Sequence, residues 1–170
     1  DYGIYRGAAL ICPNRYEASR ASGLPCSTVE ESGSVAAKLL RECGFGGVAV
    51  TLDRDGIYLQ EAHGTGRHFP TTATVVADVA GAGDMVLSVL GLVIGGGGSL
   101  EDAIRLANIA AGIEIRRVGV VSVSRDEIAA EMRYQGHPGV GKFKTLSELA
   151  PLVRCLKELG KKVVFTNGCF

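Results

Sequence analysis

The chain lacks a charge excess of either sign: 18 Lys and Arg residues against 18 Asp and Glu give a formal net charge of zero over 170 residues. A nucleic-acid binder normally carries a basic surplus to neutralise phosphates, so no nucleic-acid partner is expected. Long hydrophobic runs are missing too. None approaches the roughly 18 apolar residues that cross a bilayer, so no membrane partner is expected. The opening residues Asp1-Tyr2-Gly3-Ile4-Tyr5-Arg6 carry charge where the apolar region of a secretory leader would begin. The cysteines Cys12, Cys26, Cys43, Cys155 and Cys169 are odd in number, scattered and free of any CxxC. They read as reduced, mostly buried thiols of a cytoplasmic protein. The histidines His63, His68 and His137 form neither HxxxH nor HExxH, which argues against a metal centre of nitrogen and sulfur ligands.

What is present is core-forming: apolar residues make up 46% of the chain, enough for one domain and an appendage. Residues 8–12 form a short apolar run halted by Pro13-Asn14, expected as a buried strand. Residues 14–22 suit a short helix ended by Gly23. Residues 30–43 suit a better one, with Val35, Leu39 and Leu40 at amphipathic spacing and Gly44 to end it. Residues 47–52 and 57–59 read as strands joined by the Asp53-Arg54-Asp55-Gly56 turn. Residues 68–77 read as extended. A glycine turn at 81–83 leads, with Asp84, into a helix over 85–94. Ser99 caps a helix from Leu100 to about Arg117, with Asp102 at the capping-box position. Residues 120–123 read as extended, and a Ser124/Glu127 capping box starts a helix to about Tyr134. Residues 135–144 read as a linker. A Thr145/Glu148 box opens a helix to Leu159, and residues 163–166 read as a new buried strand. Strands alternating with helices predict an α/β fold.

The segment Asp78-Val79-Ala80-Gly81-Ala82-Gly83-Asp84 carries the most chemistry. Glycines allow close backbone approach, and the following helix aims its first N–H groups and positive dipole end at the same point. Such a place suits phosphate oxygens whose charge grows during transfer. A carboxylate at its mouth, Asp84, can take a proton from an attacking hydroxyl. The plain alternative is that Asp84 is a cap and the glycines only a turn. Asn14 and Glu17 follow the first strand and can reach a hydrated Mg²⁺ through water, or can simply cap a helix. Gly56 supplies a positive φ beside Thr51. Asn108 lies among Ala107, Ala110, Ala111 and Gly112, where a flat ring or another helix can approach. Two near-motifs are set aside. Gly81-x-Gly83 lacks the third glycine of a dinucleotide fingerprint. Gly136 to Lys142 ends on Phe143, where a phosphate loop needs Ser or Thr.

Taken together, these residues resemble the ribokinase (carbohydrate kinase) family. The family's D-[TV]-T-G-A-G-D segment is matched at 78–84, its N-x-x-E by Asn14 and Glu17, its V-T-x-G-x-x-G loop in part by Val50, Thr51 and Gly56, and its A-N-x-x-A-A helix at 107–111. The Pro13-Asn14-Arg15 and Leu106 to Ile113 stretches look like the heptose-phosphate kinase branch. The tail from Lys162 to Phe170 resembles the opening of a cytidylyltransferase-like domain. The resemblance implies a ribokinase-like three-layer sandwich, represented by its C-terminal, ATP-binding half over 1–134. It also implies a linker over 135–144 and, over 145–170, the stub of a Rossmann-like nucleotidyltransferase domain.

By the same resemblance, the reaction is ATP-dependent phosphorylation of the anomeric hydroxyl of D-glycero-β-D-manno-heptose 7-phosphate, on the way to ADP-heptose and lipopolysaccharide cores. Asp84 is then the base, and Gly81, Ala82 and Gly83 form the anion hole. Asn14, Thr51, Gly56 and Asn108 border ATP, Glu17 holds Mg²⁺ through water, and Asp78 contributes to a monovalent-cation (K⁺) site as in some relatives. A homo-oligomer is implied for the full-length enzyme. Ala80 departs from the family's usual Thr and Asp53 from its usual Gly. The residues that read the sugar are not in this stretch, so the isolated chain is expected to be inactive. Two alternatives stand beside this reading: another sugar or nucleoside kinase of the family, and a nucleotide-binding module without catalysis.

Overall fold

The computed structural model describes residues 2–71, 81–135 and 145–166. They fall into two compact units, residues 1–122 and 123–170. The expected linker beyond Gln135, which ends a helix, the near-phosphate-loop, Asp78, the end of the extended stretch over 68–77 and the tail beyond Thr166 lie outside the described residues.

The first unit is built on a three-stranded sheet in the order β1 (Gly47–Thr51), β2 (Ile57–Glu61), β3 (Arg67–Phe69), antiparallel throughout. Its register sets Ala49 opposite Leu59 and Ile57 opposite Phe69. A further extended stretch runs parallel to the free side of β1. Ile11 N donates to Gly47 O at 3.2 Å, Ala49 N to Ile11 O at 2.9 Å and Thr51 N to Pro13 O at 2.9 Å. This is where a strand was expected over 8–12. What forms is two isolated parallel bridges, Ile11 with Val48 and Asn14 with Thr51, because Pro13 has no N–H to continue the ladder.

Helix α1 (Arg15–Ser22) begins on a reciprocal capping box, Asn14 with Glu17, and ends on left-handed Gly23. Helix α2 (Val29–Cys43) begins on a second box, Thr28 with Glu31, and ends on Gly44. Helix α2 lies against β1 and β2. Val35, Ala36 and Leu39 on its inner face meet Val48 and Val50 of β1, all at most 1% exposed. Each large aliphatic side chain so buried contributes about 1.5–3 kcal/mol. Side chains alternate along a strand, so Ala49, Ile57 and Leu59 take the opposite face. There helix α4 (Leu100–Glu114) packs on β2 and β3, and helix α3 (Ala82–Gly95) packs on α4. Helices on both faces of a sheet make the three layers expected.

Helix α4 stops at Glu114, short of Arg117, where the Arg117 N–H turns back to Glu114 O at 2.8 Å. The following stretch over 120–123 makes no strand. Val121 gives its N–H to the Glu114 carboxylate instead of a ladder.

The second unit pairs helix α5 (Arg125–Gln135) with helix α6 (Leu146–Glu158). The Cys155 thiol, buried on α6, donates to Ala130 O at 3.0 Å, and Arg133 pairs with Glu158 at 3.0 Å. The strand expected over 163–166 does not form. Val164 and Phe165 are 82% and 91% exposed, and a strand holds its shape only when a neighbour takes its backbone hydrogen bonds.

Candidate active site

The candidate residues among those described fall into two groups, and α4 reaches both. The first surrounds the start of α3. Gly81, the N-cap residue, adopts φ 90°, ψ −18° and has no side chain of its own to cap the helix. Ala82 and Gly83 are already helical, so the helix opens three residues earlier than the sequence suggested. The first N–H groups of a helix have no partner within it, and Gly83 is exposed, with nothing within 4 Å of where its side chain would begin. Asp84 is the third helical residue, is exposed, and its backbone carbonyl accepts from Ser88 Oγ at 2.7 Å.

Beneath this turn lies Glu114, 2% exposed. A methyl group on Gly81 would stand 2.8 Å from Glu114 Oε1 and 3.0 Å from Val120 Cγ1. Glycine is therefore required here twice, for its backbone angle and for its missing side chain. Glu114 Oε2 has no hydrogen-bond partner among the described residues. Burial raises the Glu114 pKa, the Val121 N–H offsets this in part, and the negative charge of Asp84 raises it further.

The second group lies at the strand ends. Asn14 bridges to Thr51, and Thr51 Oγ1 donates to Pro13 O at 3.5 Å. Thr51 pairs with Ile57, next to Gly56. Gly56 holds φ 93°, ψ −133°, and a Cβ there would sit 2.1 Å from Phe69 O. Asn108 reaches the same stretch from α4, donating from Nδ2 to Phe69 O at 3.3 Å and Pro70 O at 2.7 Å. Phe69 is fixed in turn. The guanidinium groups of Arg67 and Arg105 stand 6.0 and 5.4 Å from its ring centroid, and Glu101 pairs with both at 2.5 and 2.7 Å. Asn108 and Glu114 are six residues apart on one helix, about 9 Å along its axis. Helix α4 thus carries a polar anchor for each group.

Asn14 and Glu17 each use one side-chain oxygen in the α1 capping box: Asn14 Oδ1 accepts from Glu17 N and Glu17 Oε2 from Asn14 N, both at 2.9 Å. Glu17 also lines an open groove of about 320 Å³ with Tyr2, Tyr16 and Arg20. No group of three or more metal-binding side chains exists among the described residues.

Sequence reasoning missed two residues here. Glu114 follows Ala103, Ala107 and Ala110 at helical spacing, so a carboxylate on a buried face was a readable signal. Arg15 gave none: its partners lie 11 to 40 positions away.

Comparison with known proteins bears on the family and the fold. The model of the pfkB family carbohydrate kinases matches residues 3–127. The chain is 42% identical over 170 residues to the Bifunctional protein HldE of Geobacter sulfurreducens, covering all of this chain and 35% of that protein. It is 38% identical over 171 residues to its namesake in Paramagnetospirillum magneticum, again covering 100% and 35%. The chain thus spans about a third of the length of these curated relatives. Among solved structures, Arabidopsis thaliana ribokinase complexed with ribose and ATP superimposes with a TM-score of 0.65 at 27% identity, over 71% of this chain and 39% of that one. The Thermotoga maritima ribokinase gives 0.63 at 28%, over 72% and 41%. The Escherichia coli phosphofructokinase-2 in complex with potassium shares the fold, with a TM-score of 0.68 at 18% identity over 75% and 41%. With its family model matched over most of its length, the chain belongs to the pfkB family of carbohydrate kinases.

Proposed function

We propose that this chain supplies the catalytic base and nucleotide-binding part of a cytoplasmic, ATP-dependent sugar kinase. The sugar proposed is D-glycero-β-D-manno-heptose 7-phosphate, phosphorylated on its anomeric hydroxyl for ADP-heptose synthesis. The carrying observation is the start of α3, where Asp84 stands exposed in the first turn of a helix that opens on a glycine. The first N–H groups of that helix stabilise negative charge growing on the transferred phosphoryl group. Asp84 takes the proton of the attacking hydroxyl, and positioning and charge stabilisation do the rest. Thr51, Gly56, Asn14 and Asn108 border the nucleotide. The heptose assignment rests on likeness to the two HldE proteins.

The residues also fit a hydrated Mg²⁺. Glu17 spends Oε2 on its helix cap and retains Oε1 for a water of hydration, which suits an ion that keeps most of its waters. When bound, Mg²⁺ neutralises phosphate charge.

Replacing the base tests the reading. In the full-length protein, Asp84→Asn is expected to cut kcat by about 10²- to 10⁴-fold, with MgADP affinity kept. Turnover surviving near wild type would make Asp84 a helix-start residue only. The 170-residue chain alone is expected to bind MgADP weakly and to turn over no sugar phosphate.

A further inference from the structure

The turn between β1 and β2 is held by one side chain from α1. Arg15 is only 17% exposed in its side chain. Its Nη1 donates to Cys26 O at 3.1 Å, and its Nη2 donates to Leu52 O at 3.4 Å and Asp55 Oδ2 at 2.5 Å. Its Nε stands 3.6 Å from Asp53 Oδ2. On the other side, the His68 ring Nε2 lies 2.5 Å from Asp55 O.

The turn needs such a grip. Asp53 has φ 54°, the one non-glycine residue with positive φ among the described residues. Asp tolerates that region at a cost that Gly escapes. The turn also concentrates Asp53 and Asp55 against Arg54 alone, an acidic surplus where a polyanion is to bind. An exposed ion pair contributes little. Arg15 differs because it is largely desolvated and its planar fork donates to three acceptors at once while facing the Asp53 carboxylate, which a lysine cannot reproduce.

We infer that Arg15 is a positioning residue for the nucleotide. It fixes the Leu52–Gly56 turn in the shape that receives a nucleoside triphosphate, and it cancels the acidic charge created where Asp53 stands. The inference rests on the kinase reading above and adds to it a residue on which ATP affinity depends. It also makes Arg15 and Asp53 a matched pair: the arginine is needed because the aspartate is there.

The test is steady-state kinetics of the full-length protein with MgATP varied at saturating sugar phosphate. Arg15→Ala is expected to raise the KM for MgATP about tenfold, since an unfixed turn must be ordered on binding. The KM for the sugar and kcat should stay within about threefold. Adding Asp53→Gly to Arg15→Ala should recover most of the loss, because glycine takes the positive φ freely and half of the acidic charge is gone. An unchanged KM for MgATP in Arg15→Ala overturns the inference. So does a fall in kcat alone, or a double variant no better than the single one. Should Arg15→Ala fail to fold, Arg15→Gln is compared with wild type by the thermal shift that MgADP induces. A reduced shift in a variant with wild-type melting supports the inference, and an equal shift overturns it. Wild type serves as the control on the kinase reading. If wild type shows no dependence on MgATP, that reading fails and this inference falls with it.

Discussion

Glu114 brings an ionisable group to a buried place. Its Oε2 is unpartnered among the described residues and burial raises its pKa. The folded state therefore prefers the neutral acid more than the unfolded chain does. The resulting stability is complete below the unfolded glutamate value, about 4.3, and is lost as pH rises through the higher folded value. Urea midpoints of wild type should fall from pH 4 to pH 8 by a component that Glu114→Gln removes. Parallel pH profiles for the two proteins would mean that Glu114 finds a counter-charge in the full-length protein. Gly56 supports a second prediction at this scale. Its backbone lies in a region nearly exclusive to glycine, and Cβ would strike Phe69 O. Gly56→Ala should cost about 1–3 kcal/mol from backbone strain alone, read as a lowered urea midpoint. Asp84 and its glycines were legible because a glycine turn opening a helix is a local pattern. Arg15 was not, since what it grips is assembled only when residues 14–17, 24–27 and 52–55 come together.

Helices were more legible than strands, for a physical reason. The Asn14 start, the Gly23 and Gly44 stops and the Ser99 and Ser124 caps act within four residues, so the code for each is contiguous. Strands depend on what lies beside them. The run over 8–12 lost its ladder to Pro13, the stretch over 120–123 gave an N–H to Glu114, and residues 163–166 have no described neighbour to pair with. Helix α4 shows how an element, once formed, serves a site. Its buried Asn108 donates to the carbonyls of Phe69, the last residue of β3, and of Pro70 just past it, and a stripe of small residues lets the helix come close enough to do so. Asn108→Leu keeps the approximate volume and removes the donor. Two carbonyls then lose their partner, at a cost of about 1–3 kcal/mol. Hydrogen exchange should show the loss first in amides of β3 and its partners in β2. An effect confined to α4 would mean that the anchor holds the helix and not the strand end.

At the scale of the whole chain, the placement of α5 is the open choice. Division by motif carries the kinase part to residue 134, whereas packing groups residues 123–170. The contacts of α5 with α6 are concrete: the Cys155 thiol on Ala130 O, the Arg133–Glu158 pair, and the burial of Ala130. An isolated helix of 11 residues is marginal in water. Remove α6, and α5 loses these contacts while its Ser124/Glu127 cap, worth about 1 kcal/mol, remains. Hydrogen exchange on two chains, one of residues 1–134 and one of residues 1–170, separates the two divisions. If packing with α6 governs, the α5 amides are protected in the longer chain and exchange near unfolded rates in the shorter one, while β1, β2 and α2 are protected equally in both. If α5 stays protected in the shorter chain, it belongs energetically to the kinase part. The part that folds with β1, β2 and α2 then runs through α5 to residue 134, as the motifs divide it.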